Sequence, residues 1–287
     1  MSEHAVSFAG GRLLGVLTEP DPARARKAAP TVVSSNVGVN HHVGPYRFFV
    51  DLSRALADRG FASLRFDQSG FGNSAARKDT LPALERAKDD HVEAMKFLAT
   101  RRGSPSIAAV GFCSSVDVVH RLAATDERVA AACFVEGYSF RTRGFYLRYP
   151  KRYFERARWI RLAARRVPKV LHRLPGAWNL GRYSAAFAGQ DEVFVRDYPE
   201  PAALRRDYDA MNARGVHQLF VYVGGDSAFN HERQFLEFTG QRAFARTQRL
   251  VFLPKADHTL FRVADRADVV ARICDWMERD VSPTRPT

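Results

Sequence analysis

The sequence predicts an α/β protein: a mostly parallel central sheet with helices on both faces, interrupted by one helical lid insertion. Three observations carry this. Short apolar, β-branched runs alternate with helical patterns, the arrangement that folds into a parallel sheet covered on both sides. A turn of small residues, Gly111-Phe112-Cys113-Ser114-Ser115, joins a strand pattern directly to a helix pattern. Nearly all of the net charge sits in one segment that breaks the alternation.

Along the chain, His4–Leu17 reads as a hairpin turning at Gly10-Gly11. A connection rich in Pro, Ala and Arg, Asp21–Pro30, leads to the β-branched run Thr31–Ser35 and a loop, Asn36–Pro45. Tyr46–Arg59 has helical periodicity and stops at Gly60. Phe61–Phe66 is a strand, followed by the turn-rich Asp67–Asn73. Leu81–Arg102 is a helix that ends before Gly103. Ser106–Phe112 reads as a buried strand, Ser114–Ala124 as a helix directly after it, and Val129–Val135 as the next strand. Beyond the insertion come a strand, His217–Val223, a helix, Asn230–Gly240, a strand, Leu250–Leu253, and a last helix, Ala264–Arg279. The predicted organisation is a core of residues 1–136 and 217–287 with a basic helical lid, 137–216, lying over the carboxyl edge of the sheet.

The 287 residues carry 44 Lys and Arg against 31 Asp and Glu, a net charge of +13. From Arg141 to Ala185 there are 13 Lys and Arg and one acid, Glu155, so the rest of the chain is close to neutral. Within that segment Tyr153, Ala157, Ile160, Ala164, Val167 and Leu171 keep helical spacing, most arginines fall elsewhere, and Pro168 should kink the helix. A basic amphipathic helix either lies on something anionic or packs its apolar face on its own domain with the arginines in water. Aromatic residues interleave with the charge at Tyr153, Phe154 and Trp159, but no nucleic-acid-binding module is recognisable, so nucleic acid is not the expected partner.

Composition excludes several classes. With 46% hydrophobic and 26% charged residues the chain is an ordinary globular one. Cys113, Cys133 and Cys274 are far apart and form no C-x-x-C, which argues against a zinc site or a disulfide framework. Neither a signal-like leader nor an apolar run of membrane-spanning length is present, so the expected location is the cytoplasm, with a basic lid that would also suit the inner face of a membrane. There is no phosphate-binding glycine loop and no metal-ligand spacing, and no cofactor is expected.

The chemistry centres on Cys113. In a tight strand–turn–helix the residue two before the exposed side chain must be small, which Gly111 satisfies. Placing Ser114 or Ser115 at that point instead puts larger residues at the constrained positions. A thiol there is coherent, because a nearby imidazole or a helix N-terminus favours the nucleophilic thiolate. Its base would follow the last strand, where Asp257-His258-Thr259 offers His258. The orienting acid would follow the preceding strand, where the turn after Val223 offers Asp226; Glu136, ending the strand before the insertion, is the alternative. The backbone N–H of Ser114 and one from the Asn36–His42 loop, around Gly38 and Val39, would receive a developing oxyanion, with His41 or His42 available to the substrate.

The order Cys113…Asp226…His258, the elbow, the Asn36-Val37-Gly38 loop and the run Arg65-Phe66-Asp67-Gln68-Ser69-Gly70-Phe71-Gly72-Asn73-Ser74 together resemble the α/β-hydrolase superfamily. The patterns N-x-G-x-x-x-H-x-G-P, R-F-D, G-F-C-S-S and A-D-H-T further resemble a bacterial subgroup with cysteine at the elbow, some of it associated with exosortase and exopolysaccharide systems. Dienelactone hydrolases also place Cys at this point. The subgroup usually has Gly where this chain has Ser115. The resemblance implies an enzyme, esterase, thioesterase or acyltransferase, that forms an acyl-cysteine. An acyl carrier protein, an anionic glycan or an anionic membrane surface would suit the basic lid. The alternative is a non-catalytic protein of the same fold that binds an anionic partner through that lid.

Overall fold

The computed structural model describes residues 1–26, 28–38, 40–103, 106–149, 198–224 and 228–282. The amphipathic basic run Tyr153–Leu171 lies outside the described residues. Eight strands form one sheet: β1 (Ser2–Phe8), β2 (Leu13–Glu19), β3 (Thr31–Ser35), β4 (Ser63–Phe66), β5 (Ile107–Phe112), β6 (Val129–Val135), β7 (His217–Val223) and β8 (Gln248–Leu253). Their order is β1-β2-β4-β3-β5-β6-β7-β8. The hairpin β1–β2 pairs antiparallel from Ser2↔Glu19 to Phe8↔Leu13, and β2 runs antiparallel to β4. The other pairs are parallel.

Helices α1 (Phe48–Asp58), α2 (Ala83–Arg102), α3 (Ser115–Thr125), α4 (Pro201–Ala213), α5 (Gln234–Thr239) and α6 (Val263–Trp276) cover the two faces. The central strands read as continuous apolar runs because both faces are buried, and the two-residue period of a strand sorts their side chains. On β7, Leu219, Val221 and Val223 enter one core while Phe220 and Tyr222 enter the other. The first core holds Phe48, Phe49, Leu52 and Leu56 of α1 with Val269, Ile273, Cys274 and Trp276 of α6. The second takes its helical share from α2, α3, α4 and α5. Burying a large apolar side chain contributes about 1.5–3 kcal/mol, so both faces of the sheet stabilise the fold.

Helix α1 begins two residues later than its periodicity suggests. Pro45–Arg47 form a 3₁₀ turn in which Tyr46 and Arg47 take left-handed φ values of 48° and 69°. The last strand starts earlier than its apolar run, at Gln248, because Gln218 pairs with it in register. The end of the predicted lid, α4, packs Leu204, Tyr208 and Met211 into the second core. Residues 143–149 are helical and expose Tyr146, Leu147 and Tyr149. Among the described residues, no helix is long and apolar enough to cross a membrane.

Candidate active site

Parallel strands of such a sheet all deliver their following loops to one edge, and ligands bind there. The loops after β3, β4, β5, β6 and β8 carry the side chains that meet at this edge.

Cys113 follows the last residue of β5 and has a left-handed φ of 51°, a conformation unusual for a residue with a side chain. It is held by Cys113 N–H donating to Val135 O at 2.8 Å and by Val116 N–H donating to Cys113 O at 3.1 Å. Gly111 is required sterically: a Cβ there would lie 2.8 Å from both Ser115 O and Val116 Cα. The position where the resemblance expects a second glycine is used differently. Ser115 Oγ accepts from Phe112 N–H at 2.8 Å and donates to Phe112 O at 3.0 Å, and the side chain is buried. The hydroxyl therefore closes the turn with two hydrogen bonds where glycine would leave space.

His258 Nε2 lies 3.3 Å from Cys113 Sγ. Its loop is rigid for identifiable reasons. Asp257 accepts from Thr259 N–H, Thr259 Oγ1 and Phe261 N–H, and Arg266 of α6 donates to Leu260 O and Phe261 O. On its other side, His258 Nδ1 donates to Glu136 Oε2 at 2.8 Å. Glu136 is 3% exposed, follows β6 with a φ of 55°, and its Oε1 accepts from Val223 N–H at 2.7 Å. The carboxylate on the imidazole among the described residues is thus Glu136, the alternative to Asp226 read from the sequence. Asp226 and Val39 lie outside the described residues. The physical reason is reach. The end of β6 adjoins the elbow strand, and the left-handed turn at Glu136 directs the longer side chain across the end of β7 to the imidazole.

The hydrogen bonds to Cys113 and then to Glu136 outweigh burial and raise the His258 pKa to about 10. The Cys113 sulfur and the Glu136 carboxylate thus favour the protonated form of the imidazole. The other two cysteines are buried, and burial pushes both thiols up, Cys274 to about 12 and Cys133 further. Only Cys113 of the three combines partial exposure with an imidazole partner.

The loop after β3 stands on the opposite side of Cys113 from His258. Gly38 N–H donates to Ser114 Oγ at 2.8 Å, joining that loop to the elbow. Asn36 Oδ1 accepts from Gln68 N–H, which ties the loop to the one after β4. Asp67, fully buried, accepts from His42 N–H at 2.6 Å, His42 Nδ1 at 2.9 Å and Asn73 N–H at 2.9 Å. Burial alone would raise the Asp67 pKa, but these bonds, led by His42, hold it below the usual carboxylate range. Asp67 belongs to the R-F-D motif, yet the sequence shows no partner for it; the matching signal is His42 in the loop of the neighbouring strand. His41 is exposed, with its ring 5.5 Å from that of His42. Among the described residues, no cluster suited to a metal ion occurs.

The sheet order, the elbow and the imidazole–carboxylate pair define the class: the chain has the α/β-hydrolase fold. Solved structures of this fold align over almost its whole length. An esterase from Pyrococcus furiosus matches with a TM-score of 0.61 at 14% identity, covering 98% of this chain and 91% of the esterase. A dienelactone hydrolase from Anabaena variabilis matches with a TM-score of 0.56 at 14% identity, covering 98% of each. An α/β serine hydrolase without a lid, from Xanthomonas campestris, gives a TM-score of 0.54 at 13% identity, covering 100% of this chain and 98% of the other. No protein-family model and no curated protein matches the sequence.

Proposed function

We propose that this protein is a cysteine-based hydrolase or acyltransferase that acts on an ester or thioester through an acyl-Cys113 intermediate. One observation carries the reading: Cys113 Sγ stands 3.3 Å from His258 Nε2, while buried Glu136 holds the far nitrogen at 2.8 Å. The names of its structural neighbours, esterase and dienelactone hydrolase, support acyl chemistry of this kind.

His258 Nε2 takes the Cys113 proton, giving a thiolate beside an imidazolium. The thiolate adds to the acyl carbonyl carbon, and the carbonyl π pair moves onto oxygen. That pair then re-forms the carbonyl as the bond to the leaving group breaks, and the departing oxygen or sulfur takes the proton from His258 Nε2. Neutral His258 next accepts a proton from water or another acceptor as it attacks the acyl carbon, and the released thiolate restores the ion pair. Glu136 stays ionised throughout, keeping the proton on Nδ1 and stabilising the imidazolium. Thioesters transfer readily to amines and alcohols as well as to water, so the acceptor decides between hydrolysis and transfer. The basic segment Arg141–Ala185 favours an anionic substrate or carrier.

The test is intact-protein mass after brief incubation with activated acyl esters and thioesters, in wild type, Cys113→Ala and His258→Ala. One acyl adduct is expected in wild type, none in Cys113→Ala and slow formation in His258→Ala; Cys133 and Cys274 stay unmodified until the protein unfolds. No adduct, with Cys113 inert to iodoacetamide in the folded protein, would overturn the enzyme reading in favour of a binding protein.

A further inference from the structure

The sequence pattern assigns two backbone N–H groups to the oxyanion, one from Ser114 and one from the loop around Gly38 and Val39. The Ser114 N–H fits: among the described residues it has no hydrogen-bond acceptor. The Gly38 N–H does not. It is already engaged at 2.8 Å by Ser114 Oγ, the side chain of the residue that follows the nucleophile. Gly38 adopts a φ of 51°, which turns its N–H onto the elbow.

Ser114 stands at the start of α3, yet its hydroxyl does not cap that helix. It is turned toward the β3 loop, and among the described residues its own proton has no acceptor. A hydroxyl has one donor and two acceptor sites. The Gly38 bond fills one acceptor site and orients the group, which leaves the O–H free of any acceptor among the described residues. Donation from Gly38 also polarises the O–H, since linked hydrogen bonds strengthen one another. The polarised O–H and the N–H that has no acceptor among the described residues belong to one residue, directly after Cys113.

We propose that the second oxyanion donor is the Ser114 hydroxyl, held and polarised by Gly38, in place of the Gly38 N–H. This rests on the acyl-Cys113 reading above and specifies how that site receives the substrate carbonyl of an ester or thioester. As the thiolate forms the S–C bond, the carbonyl π pair moves to oxygen, which accepts hydrogen bonds from Ser114 N–H and Ser114 Oγ–H. No proton is transferred to it. When the pair returns to re-form the carbonyl, the leaving group departs with the proton from His258. Ser114 is then a catalytic residue through its side chain as well as its backbone.

Two reactions of the same thiol separate this role from a structural one. Acylation by p-nitrophenyl acetate passes through an oxyanion, whereas alkylation by iodoacetamide does not. Losing one oxyanion donor costs on the order of 10²-fold, so Ser114→Ala should slow acylation by about that factor and leave alkylation within about twofold. Ser114→Thr and Ser114→Val have the same shape and differ in the hydroxyl, so the comparison stands even where Ala lowers the folded yield. Thr should acylate much faster than Val, with equal alkylation rates. Unchanged or faster acylation in Ser114→Ala, equal acylation in the Thr and Val variants, or a parallel fall of acylation and alkylation would each overturn the proposal. A wild type that is alkylated at Cys113 but never acylated would instead overturn the acyl-enzyme reading on which it rests.

Discussion

Replacing Glu136 by Gln tests the site at its least obvious member. The variant keeps the shape and the bond from Val223 N–H, but removes the charge and places an amide opposite His258 Nδ1. A hydrogen bond to a charged group is worth about 1.5–3 kcal/mol, and about 1.36 kcal/mol is tenfold in rate, so loss of the 2.8 Å bond alone predicts roughly 10- to 150-fold. An amide NH₂ facing Nδ1 also favours the tautomer with the proton on Nε2, where it faces Sγ and cannot receive the thiol proton. In a serine triad that inversion costs about 10⁴ in kcat. A thiol, with an ordinary pKa of about 8.5, needs less help from a base, so kcat/KM for an activated ester should fall by about 10²–10³.

The same change alters the pH response. The His258 pKa is raised to about 10 in the folded protein. Its stabilising contribution is therefore fully present below the unfolded value of about 6.5 and is lost as pH rises through about 10. In Glu136→Gln the folded pKa moves down, so the alkaline loss of Tm begins at lower pH, and the His258 ring signals in an NMR titration shift with it. The assays are kcat/KM, that titration and Tm between pH 6 and 11, with circular dichroism as the check on folding. The reasoning is refuted if Glu136→Gln stays within about threefold of wild type while Asp226→Asn falls by orders of magnitude.

Two further outcomes follow from the supports of the site. Ser115→Ala leaves the buried Phe112 N–H without its partner, which costs about 1–3 kcal/mol, seen as a lower urea midpoint with unchanged m-value; full stability in this variant would mean the hydroxyl does not brace the elbow. Asp67→Ala unpairs His42 and Asn73 and should lower Tm and raise KM more than it lowers kcat, since it loosens the β3 and β4 loops rather than the nucleophile. Because the Asp67 pKa is depressed, its contribution is present above the unfolded value of about 3.9 and is lost as pH falls through the lower folded value, so wild type and variant should converge in stability in acid.

Much of this fold is legible because its signals are local. The β-branched run Thr31–Ser35 and the run Val129–Val135 are strands with those same limits, since strands buried on both faces are apolar throughout. The elbow is equally local: Gly111 is five residues from Val116, and the contact that forbids a Cβ lies within one turn of chain. The start of α1 is less legible, because two consecutive left-handed residues at Tyr46 and Arg47 have no glycine to announce them.

From its sequence alone this protein discloses the sheet, the thiol at the turn after β5 and the histidine after β8, because each is marked by residues within a few positions of it. The acid that holds the imidazole, and the use made of the Gly38 N–H, are decided only in three dimensions. Glu136 and His258 are 122 positions apart, and Gly38 and Ser114 are 76 apart. One left-handed residue, Glu136, turns its side chain across the end of β7 to the imidazole, and the packing of the sheet fixes it in space.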